Sequence, residues 1–440
     1  MALSTQPYKG ARDFYPEDKR LQKYMFSTIR RIVERYGYEE YDAPILEPLE
    51  LYLAKTGEEI VSEQTYAFED RGGRKVAIRP EMTPTVSRMV AARRQELGFP
   101  LRWYSIPNLW RYERPQKGRL REHWQLNVDI FGISGIQAEM ELIQVADDIL
   151  KAFGATHDMY SIRVNSRKLM DYILKDYLKL NSVQVHTVSK LIDRMHKMPH
   201  AEFEAEIESV CTPSQREAGV SNKLIGILKT KQLLHMPEPI REHESAQELK
   251  LLMETLKDAR IPNVVFDITI MRGFDYYTGI VFEMTNNSTE NTRSMMGGGR
   301  YDGLVGLFGV EPVPTVGFGW GDVTLQDFLE EHKLMSPLRP DTDVYVVLVG
   351  DGENIYADAL KVIQNLREMD VNVAVDISGK KADKQIKTAV KKGIHYAMFI
   401  GPNDLKEEQF EIRNLHTGIA ERHSAARIAS IVTDYRDVDL

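Results

Sequence analysis

The sequence predicts an α+β fold in which a strand-rich domain is interrupted by helices and followed by a separate α/β domain. Three observations predict it. Residues on either side of Pro115 to Gly118 alternate polar and apolar as the arms of an antiparallel hairpin do. The span from about Ser166 to Arg260 is charged and helical, with little sign of strands. Beyond the stiff, turn-forming stretch Ser336-Pro337-Leu338-Arg339-Pro340-Asp341, strands and helices alternate. A chain of 440 residues is expected to hold two or three domains. The boundaries read as a strand-rich core in two parts, 1–165 and 261–336, a helical insertion at 166–260, and an α/β domain at 341–440.

The elements follow in order. Lys9 to Pro16 reads as an ordered turn, and a helix from about Pro16 to Tyr36 carries Leu21, Met25, Ile29, Ile32, Val33 and Tyr36 on one stripe before Gly37 ends it. Tyr38 to Pro44 is extended. A short strand, Lys75 to Ile78, runs into Arg79-Pro80-Glu81-Met82-Thr83-Pro84, where Thr83 suits an N-cap and Pro84 the first helical position. Glu81 then answers the helix dipole or, with Thr83, walls a pocket for an ammonium group. Gln137 to Phe153 is helical, and Ser166 is a plausible cap for the helices after it.

Strands resume at Asn263 to Ile270 and again at Ile280 to Met284. Between them Met271-Arg272-Gly273-Phe274-Asp275-Tyr276-Tyr277 reads as a packed corner with an ion pair or as part of a site. Gly297-Gly298-Gly299-Arg300-Tyr301-Asp302-Gly303 allows either close backbone approach to a ligand or a bulged turn. Val316 to Glu330 is a glycine-rich strand entering a helix. The last domain reads as strand 343–350, helix 354–369, strand 371–377, helix 382–392, strand 396–401, strands near 410–415 and 418–423, and a final helix.

The hairpin, Leu109 to Gly132, carries the chemistry. Arg111 and Glu113 share one face of its first arm; His123, Gln125, Asn127 and Asp129 share one face of its second, with Trp124, Leu126, Val128 and Ile130 opposite. Amide, imidazole and carboxylate groups replace the Lys and Glu usual on a solvated strand. Its loop is basic through Arg114, Lys117, Arg119 and Arg121. A basic loop over a hydrogen-bonding floor suits a phosphorylated substrate that is also read in detail.

Composition narrows the class. With 42% hydrophobic and 28% charged residues, no stretch is apolar for long enough to span a bilayer. The opening Met-Ala-Leu-Ser-Thr-Gln-Pro has no signal-peptide core, so a cytoplasmic protein is expected. The single Cys211 excludes an internal disulfide framework and a thiolate-cluster metal site. A net charge of −8 gives no global sign of nucleic-acid binding, which leaves that role to local basic patches.

Taken together, the helix leading to Pro44, the hairpin from Arg111 to Phe131, Arg272-Gly273-Phe274-Asp275-Tyr276-Tyr277 and Gly298-Gly299-Arg300-Tyr301-Asp302-Gly303 resemble the histidyl-tRNA synthetases, class II aminoacyl-tRNA synthetases. The resemblance covers nearly the whole chain. It implies an α+β catalytic domain built on an antiparallel sheet, a helical insertion, and a C-terminal α/β anticodon-binding domain. It assigns Glu81, Thr83 and Gln125 to the histidine amino group, and Asp129 and Tyr277, with Tyr276 nearby, to the imidazole. Arg111 and Arg272 become the catalytic pair on the α-phosphate, and Glu113 meets the adenine. ATP is implied as a substrate with Mg2+, without a tightly bound structural metal; partners are L-histidine, histidine tRNA and a second copy in a homodimer, with no membrane. One position departs from the pattern. The arginine that normally covers the adenine and reaches the terminal phosphate is Thr324, in Gly321-Asp322-Val323-Thr324-Leu325. Arg119, Arg121 and Arg293 are the candidates to supply its contact, or ATP binding is weaker. The competing expectation is a catalytically silent synthetase-like protein that regulates another enzyme or senses tRNA.

Overall fold

The computed structural model describes residues 3–53, 64–195, 198–271, 276–288, 294–335, 337–350 and 352–437. Arg272 and Arg293 lie outside them. The chain divides into two compact units, one of Met1–Asp13 with Tyr24–Met335 and one of Phe14–Lys23 with Ser336–Leu440.

The strands of the first unit are β1 (Glu39–Glu40), β2 (Leu46–Pro48), β3 (Ala67–Glu69), β4 (Lys75–Ile78), β5 (Leu101–Ser105), β6 (Asn108–Trp110), β7 (Glu122–Phe131), β8 (Tyr160–Ser166), β9 (Val264–Phe266), β10 (Ile280–Asn286), β11 (Ser294–Arg300) and β12 (Thr315–Gly321). The main sheet runs β1-β5-β7-β12-β11-β10-β8-β9, with β6 paired to β7, and β2-β4-β3 form a small second sheet. The main sheet is antiparallel except for its outer pairs β1/β5 and β8/β9. Leu126, Val128 and Ile130 are buried, and the Gln137–Ala152 helix packs behind β7 and β12. The polar residues between them are thereby left on the opposite face.

Between β8 and β9 the chain is helical, from Arg167 to Asp258. Ser166 opens it, its hydroxyl accepting from the Leu169 amide at 3.4 Å. Four other local expectations shift. The helix at 83–92 takes Met82 rather than Thr83 as its N-cap, so Pro84 falls one position deeper. The hairpin's first arm ends at Trp110, because the Tyr112 amide leaves the ladder for the Gln64 carbonyl at 2.6 Å. The strand expected over 263–270 stops at Phe266, where Asp267 takes the amide and hydroxyl of Thr269 into a side-chain turn. The glycine triplet is not a bulged turn: it lies within the buried strand β11.

The second unit holds β13 (Val344–Leu348), β14 (Val373–Val375), β15 (Tyr396–Ile400), β16 (Phe410–Asn414) and β17 (Ala420–His423) in the order β14-β13-β15-β16-β17. Its first three strands are parallel and the last two antiparallel. Helices Gly352–Glu368, Ala382–Lys391 and Ala425–Asp437 cover it. Strand β13 is buried on both faces, Val344, Val346 and Leu348 in one core and Tyr345 and Val347 in another, as a central parallel strand must be. A short helix, Pro402–Glu407, was not expected.

Candidate active site

The site is built on β7, β12 and β11 lying side by side. Register places Asp129 opposite Gly317, Asn127 opposite Gly319 and Gln125 opposite Gly321, and on the next strand Gly297 and Gly299 face Gly319 and Gly317. The polar side chains of β7 therefore lie across a floor that carries no side chains. A Cβ at Gly317 would stand 1.9 Å from Asp129 Oδ1 and 2.9 Å from the Val128 carbonyl oxygen, so that position requires glycine; one at Gly319 would stand 3.0 Å from Gln125 Cδ and crowd that side chain.

Two cavities open over this floor. The smaller, about 130 Å³, is lined by Glu81, Thr83, Gln125, Asn127, Asp129, Tyr276, Tyr277 and Tyr301 among others. Asp129, 4% exposed, accepts a short hydrogen bond from the Tyr301 hydroxyl. Burial pushes its carboxyl up to about 7, and the Tyr301 bond works against that rise. The Tyr276 hydroxyl donates to Glu81 Oε2 at 3.4 Å, its ring 4.9 Å from that of Tyr277 and 5.6 Å from that of Tyr301. Burial and the Glu81 charge hold the Tyr276 phenol well above its usual range. The result is a box of aromatic walls with acceptors at both ends.

The larger cavity, about 310 Å³, is lined by Glu113, Arg119, His123, Glu283, Met295 and Thr324 among others. Arg111, Gln125, Gly297 and Gly319 line both cavities, so the two communicate. Arg111 is fixed at the junction by a 2.9 Å hydrogen bond from Nε to the Pro80 carbonyl. Burial, with the charges of Arg111 and Arg12 close by, drives the His123 imidazole down to about 3, which keeps the ring neutral.

The structure thus brings together Glu81, Thr83, Gln125, Asp129, Tyr276 and Tyr277 in one cavity, Glu113 and Arg119 in the other, and Arg111 between them. Arg121 is not among the residues lining either cavity. Its Nε donates to the Glu113 carbonyl at 3.1 Å, its Nη1 to the Tyr8 hydroxyl at 2.9 Å, and its guanidinium lies 4.0 Å from the Tyr112 ring centre. Sequence reasoning set His123 on the polar face of the hairpin without a specific contact and gave no role to Tyr301 or Asp193, the last of which reaches the larger cavity from the Ser182–Arg194 helix. The alternation of glycine in Gly317-Phe318-Gly319-Trp320-Gly321 was the available sign of a side-chain-free floor.

An antiparallel sheet whose hairpin faces a nucleotide-sized cavity joined to a small polar one is the arrangement of a class II aminoacyl-tRNA synthetase. The family described as histidyl-tRNA synthetase matches residues 10–321, and an anticodon binding domain matches residues 343–435. The chain is 45% identical over 414 residues to a histidine–tRNA ligase of Leptospira biflexa, covering 94% of each, and 37% identical over 433 residues to one of Thermoplasma volcanium, covering 95% of this chain and 96% of that one. The crystal structure of histidyl-tRNA synthetase from Nostoc sp. PCC 7120 superposes with a TM-score of 0.82 at 25% identity, covering 99% of this chain and all of the other. The chain belongs to the histidyl-tRNA synthetase family.

Proposed function

We propose that this protein is a histidine–tRNA ligase, and that the observation carrying the reading is the meeting of its two cavities at Arg111 and Gln125 on one hairpin. Histidine occupies the smaller cavity and ATP, as its Mg2+ complex, the larger. The amino group is held by Glu81, Thr83 and Gln125; the imidazole donates to Asp129 and pairs its other nitrogen with Tyr277. A neutral ring offers one donor and one acceptor, and this box supplies a partner for each. A phenylalanine would offer Asp129 no donor in place of the imidazole N–H, so the site rejects it without editing.

The carboxylate oxygen attacks the α-phosphorus, the bond to the β-phosphate oxygen breaks, and histidyl-adenylate and pyrophosphate result. The ester is then made by the hydroxyl at the 3′ end of the tRNA, with release of AMP. The protein holds nucleophile and phosphorus in line and offsets charge on the phosphoryl oxygens, the latter through Arg111 with Arg272. Glu113 and Glu283 line the cavity where the metal carried by the triphosphate would be received. The second unit binds the anticodon. The reading carries with it a cytoplasmic homodimer; no helix among the described residues is long and apolar enough to cross a membrane.

The test is exchange of labelled pyrophosphate into ATP, which should require histidine. Asp129→Asn should raise the KM for histidine by about tenfold to a hundredfold, as loss of a charge-assisted hydrogen bond does. Absence of exchange in the parent protein would favour the regulatory or tRNA-sensing alternative.

Asp129 also predicts a pH dependence. Its carboxyl is raised from 3.8 to about 7, so the folded, ligand-free chain holds a proton that the unfolded chain releases. Its stabilising contribution is present below about pH 4 and lost as pH rises through about 7. The melting temperature of the parent protein should fall across that window relative to Asp129→Asn, and parallel profiles would count against it.

A further inference from the structure

The stretch from Tyr8 to Arg12 is bonded to two elements that wall the larger cavity, β7 and the Asp322–Glu331 helix. The Gly10 carbonyl accepts from the Arg121 amide at 2.9 Å and the Glu122 amide at 3.1 Å, where the hairpin returns into β7. Gly10 has a φ of +89°, and a Cβ there would stand 2.8 Å from Arg121 Cγ, so the approach needs glycine. The Tyr8 hydroxyl accepts from Arg121 Nη1 at 2.9 Å. Arg121 is thus an anchor for this segment.

Two residues beyond Gly10, Arg12 Nη2 donates to Asp322 Oδ2 at 2.6 Å. Asp322 opens the Asp322–Glu331 helix and is 6% exposed. Its other oxygen, Oδ1, accepts from the Trp124 amide at 3.0 Å. The backbone ladder between β7 and β12 ends at Gln125 opposite Gly321, so the Asp322 side chain carries the connection one residue further than the backbones do. The neighbours of both ends line the larger cavity: His123 and Gln125 flank Trp124, and Gly321 and Val323 flank Asp322. Burial raises the Asp322 carboxyl, and the Arg12 charge opposes that rise. Without the guanidinium the tie would be a buried carboxylate lacking its cation, which is costly to keep in place.

We propose that Arg12 is a positioning residue for the nucleotide: it holds Asp322 as a tie between β7 and the Asp322–Glu331 helix, and the tie sets His123 and Gln125 against Gly321 across the larger cavity. Arg12 is not among the residues lining either cavity and acts only through Asp322. The inference rests on the ATP site proposed above.

Pyrophosphate exchange with ATP and histidine varied separately tests it, at a temperature where circular dichroism shows each variant folded. Arg12→Met should raise the KM for ATP by about tenfold. The KM for histidine should rise less than about threefold, since Glu81, Asp129, Tyr276 and Tyr277 lie away from the tie. Adding Asp322→Asn should return the KM for ATP to within about threefold of the parent, because an amide oxygen still accepts from Trp124 and needs no cation. Arg12→Met with Asp322→Ala, which removes charge and acceptor together, should keep the raised KM, and this pair of double variants decides the matter if Arg12→Met alone does not fold. A purely structural ion pair would lower the melting temperature of these variants and leave the KM for ATP of the folded enzyme unchanged. That result overturns the proposal, as does an asparagine at 322 that restores no more than alanine. If the parent protein shows no exchange, the ligase reading fails instead, and the calorimetric ATP affinities of the same variants decide the tie; a parent that binds no ATP overturns both.

Discussion

Replacing Arg111 with alanine is expected to lower histidine-dependent pyrophosphate exchange by a hundredfold or more. Arg111 lines both cavities and is held at their junction by the Pro80 carbonyl, where the proposed reaction would bring carboxylate and phosphorus together. A preorganised donor at a centre of developing charge typically contributes roughly 3 kcal/mol. The loss should fall mainly on kcat, because charge on the phosphoryl oxygens changes most in the transition state. Lysine should not restore it, since a point charge cannot hold Pro80 and a phosphate in one planar fork. The fold should survive, the structural loss being one hydrogen bond of about 1 kcal/mol. Exchange within threefold of the parent would remove Arg111 from the reaction.

The largest effect on stability is expected at Arg300. Its Nε and Nη2 both reach the Glu139 carboxylate, at 2.7 and 2.6 Å, and its remaining donors serve the Ile133 and Gly135 carbonyls beyond the end of β7. Arg300 and Glu139 are both buried, at 6% and 1% side-chain exposure. Arg300→Met would leave the Glu139 charge without a partner, a loss of about 3–5 kcal/mol. Denaturant titration should show that loss, and Arg300→Met with Glu139→Leu should recover part of it, because the buried Glu139 charge is removed while the Ile133 and Gly135 carbonyls still lose their donors. Equal destabilisation in the single and double variants would show that the pair is not what the arginine supports. Since Tyr301 follows Arg300 and donates to Asp129, the single variant should also weaken histidine binding.

Much of this was open to reading because strand periodicity is a local property. Gln125, Asn127 and Asp129 fall on one face of β7 by alternation alone, and the sheet places that face over the cavities. What stayed hidden is non-local. Tyr301 meets Asp129 across 172 residues of sequence, and nothing near either residue announces the other. Asp193 arrives from a helical segment whose own pattern concerns only its packing. Gly297 to Gly299 fits a turn and a strand interior equally well until the neighbouring strands β10 and β12 pair with it. The Pro402–Glu407 helix is too short for any periodicity, although Asp404 holds its first amide, that of Gly401, at 2.9 Å. Arg121 was grouped with Arg119 because both are basic and close in sequence; the aromatic rings of Tyr8 and Tyr112 separate them.

Strand β7 runs without interruption from Glu122 to Phe131, and it carries Asp129 in the smaller cavity and Gln125 where the cavities join. Four residues of extended backbone span roughly 13 Å, and covalent geometry leaves that length almost no give. The strand is therefore a ruler. A substrate anchored at Asp129, as proposed, would present its carboxylate at a distance fixed by the length of its own side chain. One that is a bond too long or too short is held out of line with the phosphorus even if its ring is accepted. In the proposed site recognition and reactivity are measured against the same rigid edge, so selectivity at the first mark becomes selectivity at the second.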